Sequence, residues 1–405
     1  MQYLNKEARV EMTRREVIIG SAALAPFALQ PVVARTDSKR GEAKAAIATP
    51  ALLLNKSAFE RNVAKMAVHA KNAGIALRPH FKVHKCVEVA QRQIELGAIG
   101  ISAATVAECE LLIRHGLPNV LLTSQPAGTN KISRVVSLAQ RQAGFQLVVD
   151  SPEIVTDLRD AARAAGAKIN LLVDVDAGMH RQGVESVKDA VSLGKLIASS
   201  PSLSLAGIMA YSGDAAHTAG WSQRQARSQA DLALGLAAKD AFHSAGLPVK
   251  IMSGGSTGTF NIDHNTLTEL QVGSYVFMDT AYEVIGSRDN PEKFNDFEPA
   301  LTILTTAISA TRPGRVSVDA GAKAQIRETD RVVGRPDLRV GVTGAEYGSL
   351  SWTSGVGIAL GEQVELVPTK LDMTTSAYDR IHVISDDGEV SEIWKIMGRT
   401  GPNQR

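Results

Sequence analysis

The sequence predicts an α/β protein, a TIM-like (β/α)8 barrel followed by a C-terminal all-β domain. Three observations carry that expectation. From about residue 47 to 290 short β-rich runs alternate with amphipathic stretches, as a barrel of parallel strands and outer helices requires. Beyond about residue 300 the runs become short and β-branched, divided by Gly, Pro and Asp, which reads as all-β structure. The chain has 405 residues, 44% of them hydrophobic and 21% charged, enough for more than one core.

In chain order, residues 1–34 read as an export signal. Arg14 and Arg15 precede an apolar run from Val17 to Leu29, broken by Pro26, and the small-residue exit Val32-Val33-Ala34 follows. That order resembles a twin-arginine signal and implies a periplasmic enzyme, with the cytoplasm as the alternative. The run falls short of the roughly 20 apolar residues that a spanning helix needs, so no stable membrane insertion is expected. Residues 35–46 read as a linker, residues 47–290 as the barrel and residues 291–405 as the β domain.

Eight runs supply the expected barrel strands: LLLN, LRPHFK, GISAAT, NVLLTS, FQLVVDS, NLLVDVD, SLAGIMAYSG and KIMSGG. Between them, Ser186–Ser199 and Trp221–Ala245 repeat apolar residues at helical spacing. TILTTAISA, RVSVDAGAK, VELVP and RIHVIS supply the strands of the second domain.

Composition narrows the function. A formal net charge of +2 without a long basic run, and 4% aromatic residues, give no footprint for nucleic acid. Cys86 and Cys109 are the only cysteines, too few for a disulfide framework or a zinc site of four cysteines. A small-molecule substrate remains.

The chemistry concentrates in LRPHFKVHK, residues 77–85. Treated as a strand, it puts Leu77, Pro79, Phe81 and Val83 on one face and Arg78, His80, Lys82 and His84 on the other. A lysine among cations at a barrel mouth is disposed to lose its proton, and a neutral amine can form a Schiff base with an aldehyde such as pyridoxal phosphate. The plain alternative is a basic, solvated strand end. Ser253-Gly254-Gly255-Ser256-Thr257-Gly258 and Gln271-Val272-Gly273-Ser274-Tyr275 lie at strand ends, where glycines let backbone N–H groups approach a phosphate. Neither fits a P-loop or a dinucleotide fingerprint, so ATP and NAD are not expected.

TPALLLN, RPHFKVHK, DVDAGMHRQGV, MAYSGD, SGGSTGTF, QVGSYVFMD and VDAGAKA, together and in this order, resemble the D-threonine aldolase and D-serine dehydratase family of alanine racemase-like, fold-type III enzymes. The resemblance runs from about Thr49 to Arg399. It implies pyridoxal 5'-phosphate on Lys82, Arg181 on the cofactor's phenolic oxygen and Tyr211 near its pyridine ring. It also implies a phosphate cup of Gly254, Gly255, Thr257, Gly273 and Ser274. His80 and Arg78 are expected to shape the site, with His80 and Lys82 as candidate bases. Homodimers are implied as well, and the expected reaction is retro-aldol cleavage of D-3-hydroxy amino acids to glycine and an aldehyde.

One motif departs from the family. Members that cleave or dehydrate such substrates carry a metal on a late His-x-Cys or His-x-Asp, whereas this chain reads Val367-Pro368-Thr369-Lys370-Leu371-Asp372. Lys370 stands where the histidine belongs, and an ammonium has donors but no lone pair to give a metal. Asp372 alone remains as a ligand, so a divalent metal is in doubt. Lys370 and Asp372 are candidate catalytic groups instead, either by replacing the cation electrostatically or, with Tyr378, by supplying a second acid or base. Dehydration, racemisation or epimerisation are therefore alternatives to aldol cleavage. A pyridoxal phosphate carrier is the non-enzymatic alternative.

Overall fold

Eight parallel strands in the order Ala76–Leu77, Glu269–Leu270, Ile251–Gly254, Leu203–Ala210, Ile169–Val175, Gln146–Val149, Leu121–Leu122 and Ser102–Ala103 form one curved sheet. A parallel bridge between His80 and Ser102 closes its two edges into a barrel. These facts come from a computed structural model that describes residues 39–399. The proposed export signal therefore lies outside the described residues. Residues 39–46 of the expected linker are partly anchored, since the Gly41 amide donates to the Val390 carbonyl at 2.8 Å and Ala43 bridges Glu389.

Local sequence explains the outer helices. Asn55 caps helix Lys56–Ala73 by accepting from the Ala58 amide at 2.8 Å, and Gly74, at a φ of 65°, ends it in the left-handed conformation. Ser151 caps helix Pro152–Ala164, whose proline opens the first turn without losing a needed donor. The two helices expected from periodicity are Val187–Ala198 and Trp221–Ser244.

One barrel strand differs from expectation. LLLN lies in strand Ala51–Asn55, which pairs antiparallel with Leu301–Arg312 and parallel with Arg380–Ile384, inside the sheet of the second domain. Leu52, Leu53 and Leu54 are buried there. Glu269–Leu270 takes the vacated place in the barrel, between Ala76–Leu77 and Ile251–Gly254. A short apolar run fits either sheet, and only long-range pairing decides which. The barrel seam is held from within: Arg78 makes a two-pronged ion pair with Glu269, Nε to Oε1 at 2.8 Å and Nη2 to Oε2 at 2.9 Å, and also donates to the Asn119 carbonyl. Both partners are 2% exposed, so removing one would strand a buried charge, at a cost of about 3 to 5 kcal/mol.

The second domain is a nine-stranded sheet. Strand Gln363–Val367 pairs with Leu301–Arg312 and leads into helix Leu371–Ala377. That loop is pinned to the barrel rim, because the Thr280 amide donates to Pro368 at 3.1 Å and the hydroxyls of Thr280 and Thr369 share a 2.8 Å hydrogen bond. The second domain thereby sets Lys370 and Asp372 at the barrel mouth.

Candidate active site

The strand reading of LRPHFKVHK holds only at its start. After Ala76–Leu77 and the His80 bridge the chain turns, and Phe81–Val83 is a single 3-10 turn. The expected cationic face is therefore split. Arg78 is inside the barrel with Glu269 and does not line the cavity. His84 turns into apolar core, its ring 5.1 Å from Phe81 and 6.4 Å from Phe277. Only His80 and Lys82 reach the cavity, a space of about 250 Å³ that also takes in Thr123, Arg181, Gln182 and Tyr211.

Lys82 is half-buried, and its Nζ has no hydrogen-bond or ion-pair partner among the described residues. It stands 5.5 Å from the centre of the Tyr211 ring, at the end of strand Leu203–Ala210. His80 is held between fixed partners: its Nδ1 accepts from the Lys82 amide at 3.3 Å, and its Nε2 lies 3.2 Å from Thr123 Oγ1. Thr123 donates its own proton to the Ala103 carbonyl at 3.1 Å, so Nε2 must carry the ring proton. Burial, then the Lys82 charge, holds the imidazole well below its ordinary value. His80 is thus a neutral ring with both nitrogens engaged, which suits it to positioning rather than to accepting a proton.

The glycine-rich loops meet behind this turn. Gly255 has a φ of 75°, and the Tyr275 amide donates to Thr257 Oγ1 at 3.0 Å, joining the two loops. A Cβ on Gly254 would lie 2.0 Å from the Ala210 carbonyl, and one on Gly273 would lie 2.7 Å from Val83. The backbone amides of Thr257 and Ser274 make no backbone hydrogen bond among the described residues. Arg181, exposed on the loop after strand Ile169–Val175, makes no ion pair or hydrogen bond among them. An amine without a partner, an aromatic wall, a free guanidinium and unsatisfied amides are the donor set that pyridoxal phosphate requires, so the residues fit that cofactor.

Where relatives would carry a metal pair, this chain presents an ammonium and one carboxylate. Lys370 stands at the N-cap position of helix Leu371–Ala377 without a side-chain capping bond and is exposed, and the exposed Asp372 accepts from the Met373 amide at 3.0 Å. Among the described residues, three groups whose ligand atoms lie within 4.8 Å of one another occur at Asp176, His180 and Glu185, on the Arg181 loop. Tyr378 is turned away, its hydroxyl donating to the Ala324 carbonyl at 3.0 Å.

Two groups, one at the rim and one buried, escaped the sequence reading. His217, exposed at the rim, lies with its ring 4.4 Å from that of Tyr282; desolvation and then the Lys370 charge push it below its ordinary value, while Asp372 pulls it up. Asp174 is 2% exposed and is pushed up to about 7 by burial. A lone histidine in a loop and an aspartate within a strand carry no pattern, although DVDAGMHRQG did mark the segment.

Comparison with known proteins agrees with this geometry. Residues 54–281 match the N-terminal domain of alanine racemase, and residues 300–384 match a serine dehydratase domain. This chain belongs to the alanine racemase-like family, in its D-threonine aldolase and D-serine dehydratase branch. Within that family, it is 34% identical to a 3-hydroxy-D-aspartate aldolase of Paracoccus denitrificans over 87% of this chain and 92% of the relative. It is 32% identical to a D-threonine aldolase of Arthrobacter, over 89% of this chain and 94% of the relative. The crystal structure of the D-threonine aldolase of Filomicrobium marinum superposes with a TM-score of 0.85 at 34% identity, covering 89% of this chain and 98% of that one.

Proposed function

We propose that the chain is a pyridoxal phosphate-dependent lyase that cleaves D-3-hydroxy amino acids between Cα and Cβ, giving glycine and an aldehyde. The observation that carries this reading is the Lys82 amine, without a hydrogen-bond or ion-pair partner among the described residues, facing Tyr211 in the cavity; Lys370, carried by the second domain, lies near enough to His217 of the barrel for its charge to act on that imidazole. Similarity to two aldolases over most of their length supports it.

Lys82 would hold the cofactor, Arg181 its phenolic oxygen, and Gly254, Gly255, Thr257, Gly273 and Ser274 its phosphate. When bound, the cofactor supplies a sink for the electrons of the breaking bond. His217 is neutral at pH 7, and its lone pair can accept the proton of the substrate's β-hydroxyl. Lys370 supplies the positive charge at the mouth and donates to a substrate carboxylate or hydroxyl oxygen, with Asp372 beside it. His80 keeps the Lys82 turn in place. The residues at this position offer a metal one carboxylate and a cation, so the reaction is proposed to run without a metal there.

Two further readings concern the whole protein. Arg14, Arg15 and the short apolar run support export to the periplasm, and no helix of the described residues is long and apolar enough to cross a membrane. The resemblance to the family supports a homodimer. Light scattering on a sizing column tests the dimer, and a reporter fused behind residues 1–34 tests export.

The function is tested by NMR product analysis with D-threonine, D-serine and 3-hydroxy-D-aspartate, each with and without EDTA. Glycine and an aldehyde, formed equally in both conditions, are expected. Ammonia with a 2-oxoacid would make the protein a dehydratase, and deuterium uptake with inversion would make it a racemase. Lys82→Ala is expected to be colourless and inactive.

A further inference from the structure

A buried carboxyl that the proposed reaction does not use lies directly beneath the cavity. Asp174 sits near the C-terminal end of strand Ile169–Val175. Its Oδ2 accepts from Gln182 Nε2 at 2.8 Å and from Gln125 Nε2 at 3.0 Å. The Gln182 amide also donates to the Thr123 carbonyl at 3.1 Å, and Thr123 holds His80. Gln182 is the chain neighbour of Arg181, and both line the cavity. The loop has further ties: the Gly183 amide to Asp150 Oδ2 at 3.1 Å, the His180 amide to Asp176 Oδ1 at 3.1 Å and the Val184 amide to the Asp174 carbonyl at 2.9 Å. The Arg181 guanidinium itself has no hydrogen-bond or ion-pair partner among the described residues.

We propose that Asp174 is a positioning residue: through Gln182 it sets where Arg181 stands over the cavity, and so how tightly the site grips pyridoxal phosphate. The inference rests on the reading that Arg181 holds the cofactor. A buried carboxyl is costly to retain, and two amide donors directed to one of its oxygens are what make it tolerable. The anchors of the loop thus differ: Asp150 and Asp176 take backbone amides, whereas Asp174 takes the side chain next to Arg181, which in turn reaches the Thr123 carbonyl. The charged groups that act on Asp174 are Asp150, which opposes its ionisation, and Arg181, which favours it; Gln125 and Gln182 are neutral donors.

The test is a double-mutant cycle read by cofactor affinity rather than by turnover. The full chain, stripped of cofactor, is titrated with pyridoxal 5'-phosphate by fluorescence for the parent, Asp174→Ala, Arg181→Ala and the double variant. Asp174→Ala is expected to weaken binding about tenfold, the equivalent of one good hydrogen bond, and to add nothing in the Arg181→Ala background. Asp174→Asn, which keeps the shape and an acceptor oxygen for Gln182, is expected to bind within a few fold of the parent. It also serves if Asp174→Ala does not fold. Fully additive effects, or Asp174→Asn binding as weakly as Asp174→Ala, would overturn the inference. If Arg181→Ala binds the cofactor as the parent does, the underlying reading of Arg181 is what fails, and the inference falls with it.

Discussion

Thr375 Oγ1 donates a 2.9 Å hydrogen bond to the Val83 carbonyl, joining residues 292 positions apart in the chain. Thr375 belongs to helix Leu371–Ala377, which begins next to Lys370 and contains Asp372, and Val83 is the neighbour of Lys82 in its 3-10 turn. The amine in the cavity and the charged pair at its mouth therefore share one mechanical link. Together with the Thr280 and Pro368 contact it ties the second domain to the barrel rim at the turn that carries Lys82.

Thr375→Val tests that link. The substitution keeps the shape of the side chain and leaves the Val83 carbonyl without its donor in a buried place, a loss of about 1 to 2 kcal/mol. Thermal melting should fall accordingly. Cofactor affinity should stay near that of the parent, because the cup and Arg181 lie elsewhere, while KM for the amino acid should rise as the Lys370 helix loosens. Loss of cofactor without a change in KM would contradict the proposed division of labour.

Acid should weaken the fold through His84. Burial, opposed by the Cys86 carbonyl, pushes this imidazole down to about 3, and its Nε2 is without a hydrogen-bond partner. The folded state thus keeps the ring neutral, whereas the unfolded chain takes up a proton below the ordinary value near 6.5. The stability is fully present above that pH and declines as pH falls from about 6.5 toward 3. At pH 5.5 the His84 share of the loss is about 1 kcal/mol. Denaturant titrations at pH 7.5 and 5.5 should show His84→Gln losing less than the parent by that amount.

Much of the site was legible because its parts are local. RPHFKVHK, SGGSTGTF and DVDAGMHRQGV each bring their groups to one strand end, and alternation of β-rich and helical segments places strand ends on one face. What the sequence hid was long-range. LLLN pairs with strands near residues 301 and 381, Arg78 finds Glu269 inside the barrel, and His217 becomes part of the mouth only when the Lys370 loop folds over Thr280. The period-two reading of residues 77–85 failed at Phe81, where the chain leaves the sheet for a 3-10 turn and His84 rotates into the core. No local pattern marks such an exit, since the same alternation suits a strand or a buried turn.

The glycine at the head of the cup should tolerate no side chain. A Cβ at Gly254 would meet the backbone oxygen of Ala210, an atom fixed in the neighbouring barrel strand. Relief requires moving that strand and Tyr211 with it. Gly254→Ala is expected to lose about 2 kcal/mol of stability or more, and to bind pyridoxal phosphate weakly even where it folds. A melting curve and cofactor titration matching those of the parent would show that the strands part more easily than this packing implies.

Lys370→His should convert the mouth into a metal site. With Asp372 two positions on, the histidine restores a His-x-Asp pair with neutral and anionic lone pairs in place of an ammonium. The parent is expected to keep its activity in EDTA, whereas the variant should be poor without metal and stimulated severalfold by manganese. Equal sensitivity of parent and variant to EDTA would mean that a metal binds without a histidine at this position, and that Lys370 is not its electrostatic substitute.

His217 carries the last prediction, because the proposed reaction needs a lone pair at the mouth, and of the groups there Lys370, His80 and Tyr378 withhold one. Lys370 is a donor, His80 has both nitrogens engaged, and Tyr378 is turned to Ala324. His217 lies against Tyr282, and the Lys370 charge helps keep it unprotonated below the ordinary histidine range. Aldol cleavage should accordingly hold its rate as pH falls through 6.5 and decline only below it. In His217→Asn, kcat should drop about a hundredfold, the usual contribution of a general base, with KM little changed and the acidic limb of the profile lost. A variant that keeps both its rate and that limb would assign the proton to another group, with Asp372 the next to examine.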